Sequence, residues 1–349
     1  SISGRQFPNS SVSYKIRFHP DQQFRGVHET IALDGSGSHE ILMTHAINHA
    51  GNGPSLYHDV AHMIAPRNPN PHVILQLARY DEVFLDEQFV NGSDGTNFEF
   101  ETIMYESRTV DGNPQSLKTP IPLVGGIGTD LKDLGDSKEN YRWNFQIKNN
   151  RSRDDYSRII ELGKAFDLNG EELENAVQPL MDVDQWMRSF AMLSLGGCVD
   201  VYTVGLPHNV RLYVRPDDQK VLVFPWDMDS AFLSSTGAPL FGNGWNLSKV
   251  INLPANKRRH FGHLLDMADT TFNGNYMDSW GSHYETLFNK NFSQHVSFFQ
   301  SRSASVTSQI QSQAPQVAFA ITSSNPLNLS LIHISEPTRR YAISYDVIC

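Results

Sequence analysis

The chain has 349 residues, 39% of them hydrophobic and 11% aromatic, an ordinary globular composition with enough length to bury a large core. A formal net charge of −10 disfavours a nucleic-acid partner, because phosphate backbones need a concentrated basic surface. Cys198 and Cys349 are too few for a disulfide framework or a cysteine-rich zinc site, and no run of about 18 apolar residues predicts a membrane span.

The opening SISGRQFPNSS lacks the basic-then-apolar build of a signal peptide, and a start at Ser1 without methionine leads us to expect that the true N-terminus is missing. SYKIRF (13–18) alternates strictly, with Tyr14, Ile16 and Phe18 on one face and Lys15 and Arg17 on the other, which predicts a half-buried strand. ETIALDG predicts a second strand. Ser38 can cap a helix through Ala50 with Glu40 in its first turn, and Pro54 can start another running to about Ala65. HVILQLARY (72–80) and FEFETIMY (98–105) read as strands. From about Thr109 to Asp136 the chain fills with Gly, Pro, Asp and Lys, which predicts a connector or functional loop, and we place a lobe boundary there. Beyond it the period turns helical in DDYSRIIELGKAF and DVDQWMRSFAMLSLGG, the latter capped by Asp182 or Asp184 and stopped by Gly196-Gly197. HNVRLYV, RPDDQK and VLVFPW form a predicted hairpin, and 256–319 is helix-like. LSLIHISEPTRR followed by YAISYDVIC has the look of a translated sequencing adapter. We therefore set residues 329–349 aside from fold reasoning and expect the natural chain to continue beyond Asn328.

Acidic groups concentrate at the ends of predicted buried elements within 198–232. Asp200 follows the helix stop. Asp227 and Asp229 follow the apolar strand VLVFPW, and at i, i+2 in an extended chain their carboxylates point the same way. Two convergent carboxylates repel each other unless a cation lies between them, and hard oxygen ligands suit Mg²⁺ or Mn²⁺. Asn209 can add a neutral oxygen. An Asp, then an Asn, then an Asp after a strand follows the logic of a protein-kinase site: a base for the acceptor hydroxyl, an amide on the metal and a metal-holding carboxylate. The spacing differs from the usual kinase loop, since Asn209 comes nine residues after Asp200 rather than about five.

These residues resemble the CotH (spore-coat protein H) kinase family. The resemblance rests on SYKIRF, ARYDEVFLDEQF (78–89), RWNFQIKNN with DDYSRII, DVDQWMRSFA, and above all VYTVGLPHNVRLYVRP followed by FPWDMDSAF. It implies an α+β, two-lobed atypical protein-kinase-like fold, with a small β-rich nucleotide-binding lobe over 1–110 and a mainly helical catalytic lobe over 111–328. It further implies transfer of phosphate from ATP to a protein serine, with Asp200 catalytic and Asn209, Asp227 or Asp229 on the metal, and an extracellular or cell-surface setting. The phosphates of ATP need a cation, for which Lys15 on the first strand and Lys148 in QIKNN are the candidates. His208 reads as a supporting residue rather than a base.

Other readings have weaker signals. An Asp-x-Asp pair at a strand end also suits a metal-dependent nucleotidyl or glycosyl transferase, and a non-catalytic surface or coat module could keep the fold. His45/His49 and His58/His62, at i, i+4 on two predicted helices, could form a four-histidine metal site. The glycines of PLVGGIGTD are a weak phosphate-loop signal, since no strand feeds a helix there.

Overall fold

A computed structural model describes residues 2–3, 13–35, 37–51, 53, 56–65, 68–111, 118–242 and 245–313. It is a mixed α+β arrangement of antiparallel sheets and helices. The first sheet holds β1 (Ile2–Ser3), β2 (Ser13–Arg17), β3 (Thr30–Asp34), β4 (Asp59–Ala65) and β5 (Asn68–Leu77) in the order β1-β2-β3-β5-β4. Ile31, Leu33 and Ile74 form its own small core, against which Tyr14 and Phe18 pack, whereas Ile16, expected on the same face, is exposed. Between β3 and β4 lies helix α1 (Glu40–Ala50), and α2 (Glu82–Gln88) follows β5, capped by Asp81, whose side chain accepts from the Phe84 amide at 3.2 Å.

The next strands are β6 (Thr96–Phe100), β7 (Ile103–Thr109), β8 (Lys118–Ile127), β9 (Phe145–Ile147), β10 (Val210–Val214) and β11 (Val221–Pro225). Four of them make a sheet in the order β11-β10-β6-β9, and β7 pairs with β8 as a separate ribbon. Strand period two divides the four-stranded sheet into unlike faces. Phe98 and Phe100 lie across from Leu212 and Val210 and from Ile147 and Phe145. This apolar face joins the main core with helices α3 (Ser157–Asp167), α4 (Gly170–Val177), α5 (Val183–Leu195), α6 (Trp245–Asn252), α7 (Pro254–Thr270), α8 (Gly274–Phe288) and α9 (Ser293–Gln313). The opposite face carries Asn97 and Glu99 across from Tyr213 and Arg211.

Helix α5 is central, and its residues from Trp186 to Leu195 are all buried. Asp182 is its cap, accepting from the Gln185 amide at 3.3 Å. Strand β11 is an edge strand, whose spare backbone groups need partners. Gln185 supplies them, donating to Val223 O at 2.6 Å and accepting from Val223 N at 3.0 Å, while Trp186 Nε1 donates to Val221 O at 2.8 Å. The helix ends at Gly197, whose φ of +62° suits glycine and which is crowded by Phe298 and Ser234, so a side chain there meets both strain and a clash.

Three local expectations need correction. Residues 59–65 form strand β4 and not the second half of a helix from Pro54, because pairing with the β-branched run of β5 outweighs a spacing that also fits a helix. The FEFETIMY strand is broken into β6 and β7, which belong to different sheets. Part of the expected 109–136 connector is strand β8; its prolines at 120 and 122 are tolerated because both strands of a two-stranded ribbon are edges. Residues 329–349 lie outside the described residues. Among the described residues no helix is long and apolar enough to cross a membrane.

Candidate active site

The segment after α5 and the far end of the β10–β11 hairpin meet at one point. Asn209 takes a left-handed conformation just before β10, and its Nδ2 donates to Asp200 O at 2.7 Å, while Trp226 N donates to Asn209 O at 3.2 Å across the hairpin. The Asp200 amide donates to Ser230 Oγ at 3.3 Å, tying it to the turn that holds Asp227 and Asp229. His208 sits between two carboxylates, with Nε2 2.6 Å from Asp200 Oδ1 and Nδ1 3.0 Å from Glu101 Oε1. Burial alone lowers its pKa, but the hydrogen bonds to Glu101 and Asp200 outweigh that and leave it raised. One oxygen of Asp200 is thereby held, while its side chain stays 47% exposed.

Asp227 is itself left-handed (φ 54°), so the Asp227/Asp229 pair sits on a tight 3-10 turn and not on the extended chain we expected. The turn is held from α1: Glu40 Oε1 accepts from Met228 N at 3.2 Å, and His39 Nε2 lies 2.7 Å from Asp229 O. Gly37 makes the close approach possible, since a Cβ there would lie 2.6 Å from Asp34 Oδ2 and 3.5 Å from the Asp229 Cβ. Solvent reaches Asp227, yet burial by the surrounding protein, with the charges of Asp229, Glu40 and Glu101, pushes its pKa up to about 7. Asp229 is raised for the same reasons: burial first, then Glu40 and Asp34.

Such repulsion fits a cation. Among the described residues no three His, Cys, Asp or Glu side chains are gathered to hold a metal by themselves. That is compatible with Mg²⁺, which usually takes only one or two carboxylates and completes its shell with water and substrate phosphates. The donors Asp227, Asp229 and Asn209 suit such an ion. The four histidines do not come together: His45 and His49 stack on α1 with ring centroids 4.0 Å apart, His58 lies 3.3 Å from Glu40 and accepts from Ala78 N, and His62 is exposed on β4. The glycines of PLVGGIGTD lie in and just after β8, in a hairpin with no helix following.

A cavity of about 410 Å³ opens between the polar face of the four-stranded sheet and the first sheet's loops; Asp200, Asn209, Asp227 and Asp229 do not line it, and Trp226, which precedes Asp227, is the wall residue that connects it to the aspartate turn. Its wall includes Lys148, Arg211, Trp226, Asn97, Tyr80 and Arg79. Glu99 anchors the two nearest cations, pairing with Lys148 Nζ through one oxygen and with Arg211 at 2.7 Å through the other, and the Arg211 guanidinium lies 4.3 Å over the Trp226 ring. Its volume lies in the range of small-molecule sites, and its wall is more polar and charged than is usual for one. Lys148 therefore lines the cavity, whereas Lys15 is exposed on β2 and is not among its lining residues.

Residues 73–317, more than half of the chain, match the sequence model of a family described as CotH kinase protein. The chain belongs to the CotH kinase family. The match includes every segment on which the resemblance rests except SYKIRF, which lies before it. No curated protein matches the chain. Sequence reading missed Glu101, Glu40 and Asp34 around the carboxylates, Arg211 and Asn97 on the cavity wall, and Glu99, which pairs with the wall's Lys148 and Arg211. The alternation of FEF with paired acids at 99 and 101 was the one available signal, and it gave no hint of what those acids would face.

Proposed function

We propose that this protein is a protein kinase-like phosphotransferase, moving the γ-phosphoryl group of ATP to a hydroxyl on a protein, serine above all, with Mg²⁺ or Mn²⁺. We further propose that the first sheet and the helical region act as the two lobes of a kinase-like architecture, with ATP between them. The observation that carries this reading is the adjacency of two unlike zones: the carboxylate group of Asp200, Asp227 and Asp229, and a cavity whose wall bears Lys148 and Arg211. A polyphosphate needs cations, and a divalent ion, when bound, neutralises charge on the transferring group.

Asp227 and Asp229 would hold that ion and Asn209 would add its amide oxygen. Lys148 and Arg211, held in place by Glu99, offer positive charge to phosphate oxygens. Asp200, with one oxygen fixed by His208, has the other available to accept the hydrogen bond of an incoming hydroxyl. As the new oxygen–phosphorus bond forms and the bond to the leaving diphosphate breaks, the hydroxyl proton passes to Asp200.

The test is incubation with γ-labelled and, in a parallel arm, α-labelled ATP with and without Mg²⁺, alone and with serine-rich protein acceptors, beside a measurement of nucleotide binding. Label on serine that requires Mg²⁺ is the expected result. Transfer of α-label instead would mark a nucleotidyl transferase, and no nucleotide binding at all would leave the coat-module reading.

A further inference from the structure

Large apolar side chains left in water gather around Asp200. Thirteen are exposed among the described residues, and five of them, Val199, Val204, Leu206, Leu233 and Trp245, fall within two short segments, 199–206 and 233–245. Their exposure runs from 36% at Val199 to 67% at Leu233. Single exposed apolar residues need no explanation, whereas a cluster marks an interaction surface.

Backbone contacts join the two segments. Ser230 Oγ accepts from the Asp200 amide at 3.3 Å, and the Phe232 and Ser234 amides donate to Gly196 O and Gly197 O at 2.7 and 3.1 Å. Leu233 is thereby set beside the stretch that leads into Val199 and Asp200. Further along, Gly242 lies against the turn at 202–204, where a Cβ on it would be 2.6 Å from Thr203 O and 2.8 Å from Val204 Cα. Asp130 then ties this turn to the start of α6, accepting from Tyr202 Oη at 2.5 Å and from the Asn246 amide at 2.7 Å. The chain after the aspartate turn therefore follows the 197–206 stretch, to which Asp200 belongs. Residues 230–248 carry no Asp, Glu, Lys or Arg, although 19% of the chain is charged. The charges that border the patch are carboxylates, Asp200 within the first segment and Asp229 just before the second. None of the five apolar residues lines the cavity assigned to the nucleotide, so a bound nucleotide leaves them open.

We infer, on the phosphotransferase reading, that this patch receives the acceptor, and that the acceptor is a serine segment with bulky apolar side chains beside the serine and no acidic ones. A hydroxyl that reaches Asp200 brings its chain with it. In an extended acceptor the side chains two or three residues from the serine lie about 7–10 Å away, so they rest on whatever borders Asp200. Here that border is apolar and uncharged. Leucine-like side chains lose water against it and stabilise the complex, whereas a carboxylate finds no cation there and faces Asp200 and Asp229.

The experiment is phosphoryl transfer from ATP, with Mg²⁺, to four peptides that carry one serine flanked on both sides by Leu, Gly, Lys or Asp. Turnover and KM are measured for wild type and Leu233→Asp, with ATP affinity by calorimetry and oligomeric state by sedimentation beside them. Wild type should prefer Leu over Gly flanks by about tenfold or more in kcat/KM, chiefly through KM, and should use Asp flanks worst. Leu233→Asp should remove most of that preference and leave ATP affinity unchanged. The four peptides on wild type alone decide the point if the variant fails to fold. Equal use of the peptides, a preference for Lys flanks, or phosphorylation of serine-rich proteins but of none of the peptides would overturn the inference and leave the phosphotransferase reading standing. So would a Leu233→Asp protein that keeps the full Leu preference, or a wild-type dimer that Leu233→Asp separates, since a second copy would then cover the patch. Transfer to neither peptides nor proteins would overturn both.

Discussion

The two faces of the four-stranded sheet share the same strands and have opposite fates. Phe98, Phe100, Leu212 and Val223 point into the helical core, and Phe100 stacks on Phe145 with centroids 4.7 Å apart. Asn97, Glu99 and Arg211, one residue out of step, line or brace the cavity. Stability and chemistry are thus separated by residue parity along a strand, so a change on one face should register in melting and a change on the other in binding or turnover.

The largest effect should come from the carboxylate at the sheet's end. Asp200→Ala is expected to lower turnover by about two to four orders of magnitude, the range of general acid–base groups, with nucleotide affinity little changed. Single-turnover kinetics beside calorimetry would check this. Near-normal turnover, or complete loss of ATP binding, would remove the division of roles between Asp200 and the aspartate turn.

On the apolar face, Phe100→Ala should cost about 3–5 kcal/mol of folding stability, measurable by denaturant unfolding, because a fully buried ring leaves a cavity. A stable Phe100→Ala protein with impaired nucleotide binding would break the proposed separation of the faces.

The Asp227/Asp229 turn offers a test with a defined sign. The Asp227 pKa is raised in the folded protein, so between about pH 4 and pH 7 the folded state binds more protons than the unfolded one, and metal-free stability should fall as pH rises through that window. Asp227→Asn should lessen the fall, and saturating Mg²⁺ should offset it. In thermal melts with and without ATP, at least one of Asp227→Asn and Asp229→Asn should abolish the Mg²⁺-dependent shift while leaving the fold intact. Unchanged Mg²⁺-dependent ATP binding in both would remove the metal site.

The smallest effects should separate the two lysines. Lys148→Ala is expected to weaken ATP binding by about ten- to a hundredfold, the worth of a charged hydrogen bond, and Lys15→Ala to change it hardly at all. The reverse order would mean that the cavity wall has been misread.

The sequence by itself determined the strand at SYKIRF, the helix from Val183 with its cap narrowed to Asp182 or Asp184, the hairpin up to FPW and the acids after it. These are local matters, fixed by period, caps and turns within a few residues. Strand β4 and the β6–β7 break were illegible because local spacing admitted either state and only pairing with a distant strand decided between them. The same holds for the site. Asp200, Asn209, Asp227 and Asp229 stood out as acids and an amide at element ends. His208 was legible as a supporting residue, but Glu40 and Glu101 joined them only once α1, β6 and the hairpin were packed together, and Lys148 and Lys15 could be told apart only by which of them borders a cavity. Chain order records which residues are available for chemistry. Which of them share a dielectric, a charge or a ligand depends on distances that only the tertiary fold sets, because electrostatic and hydrogen-bonding energies act through space.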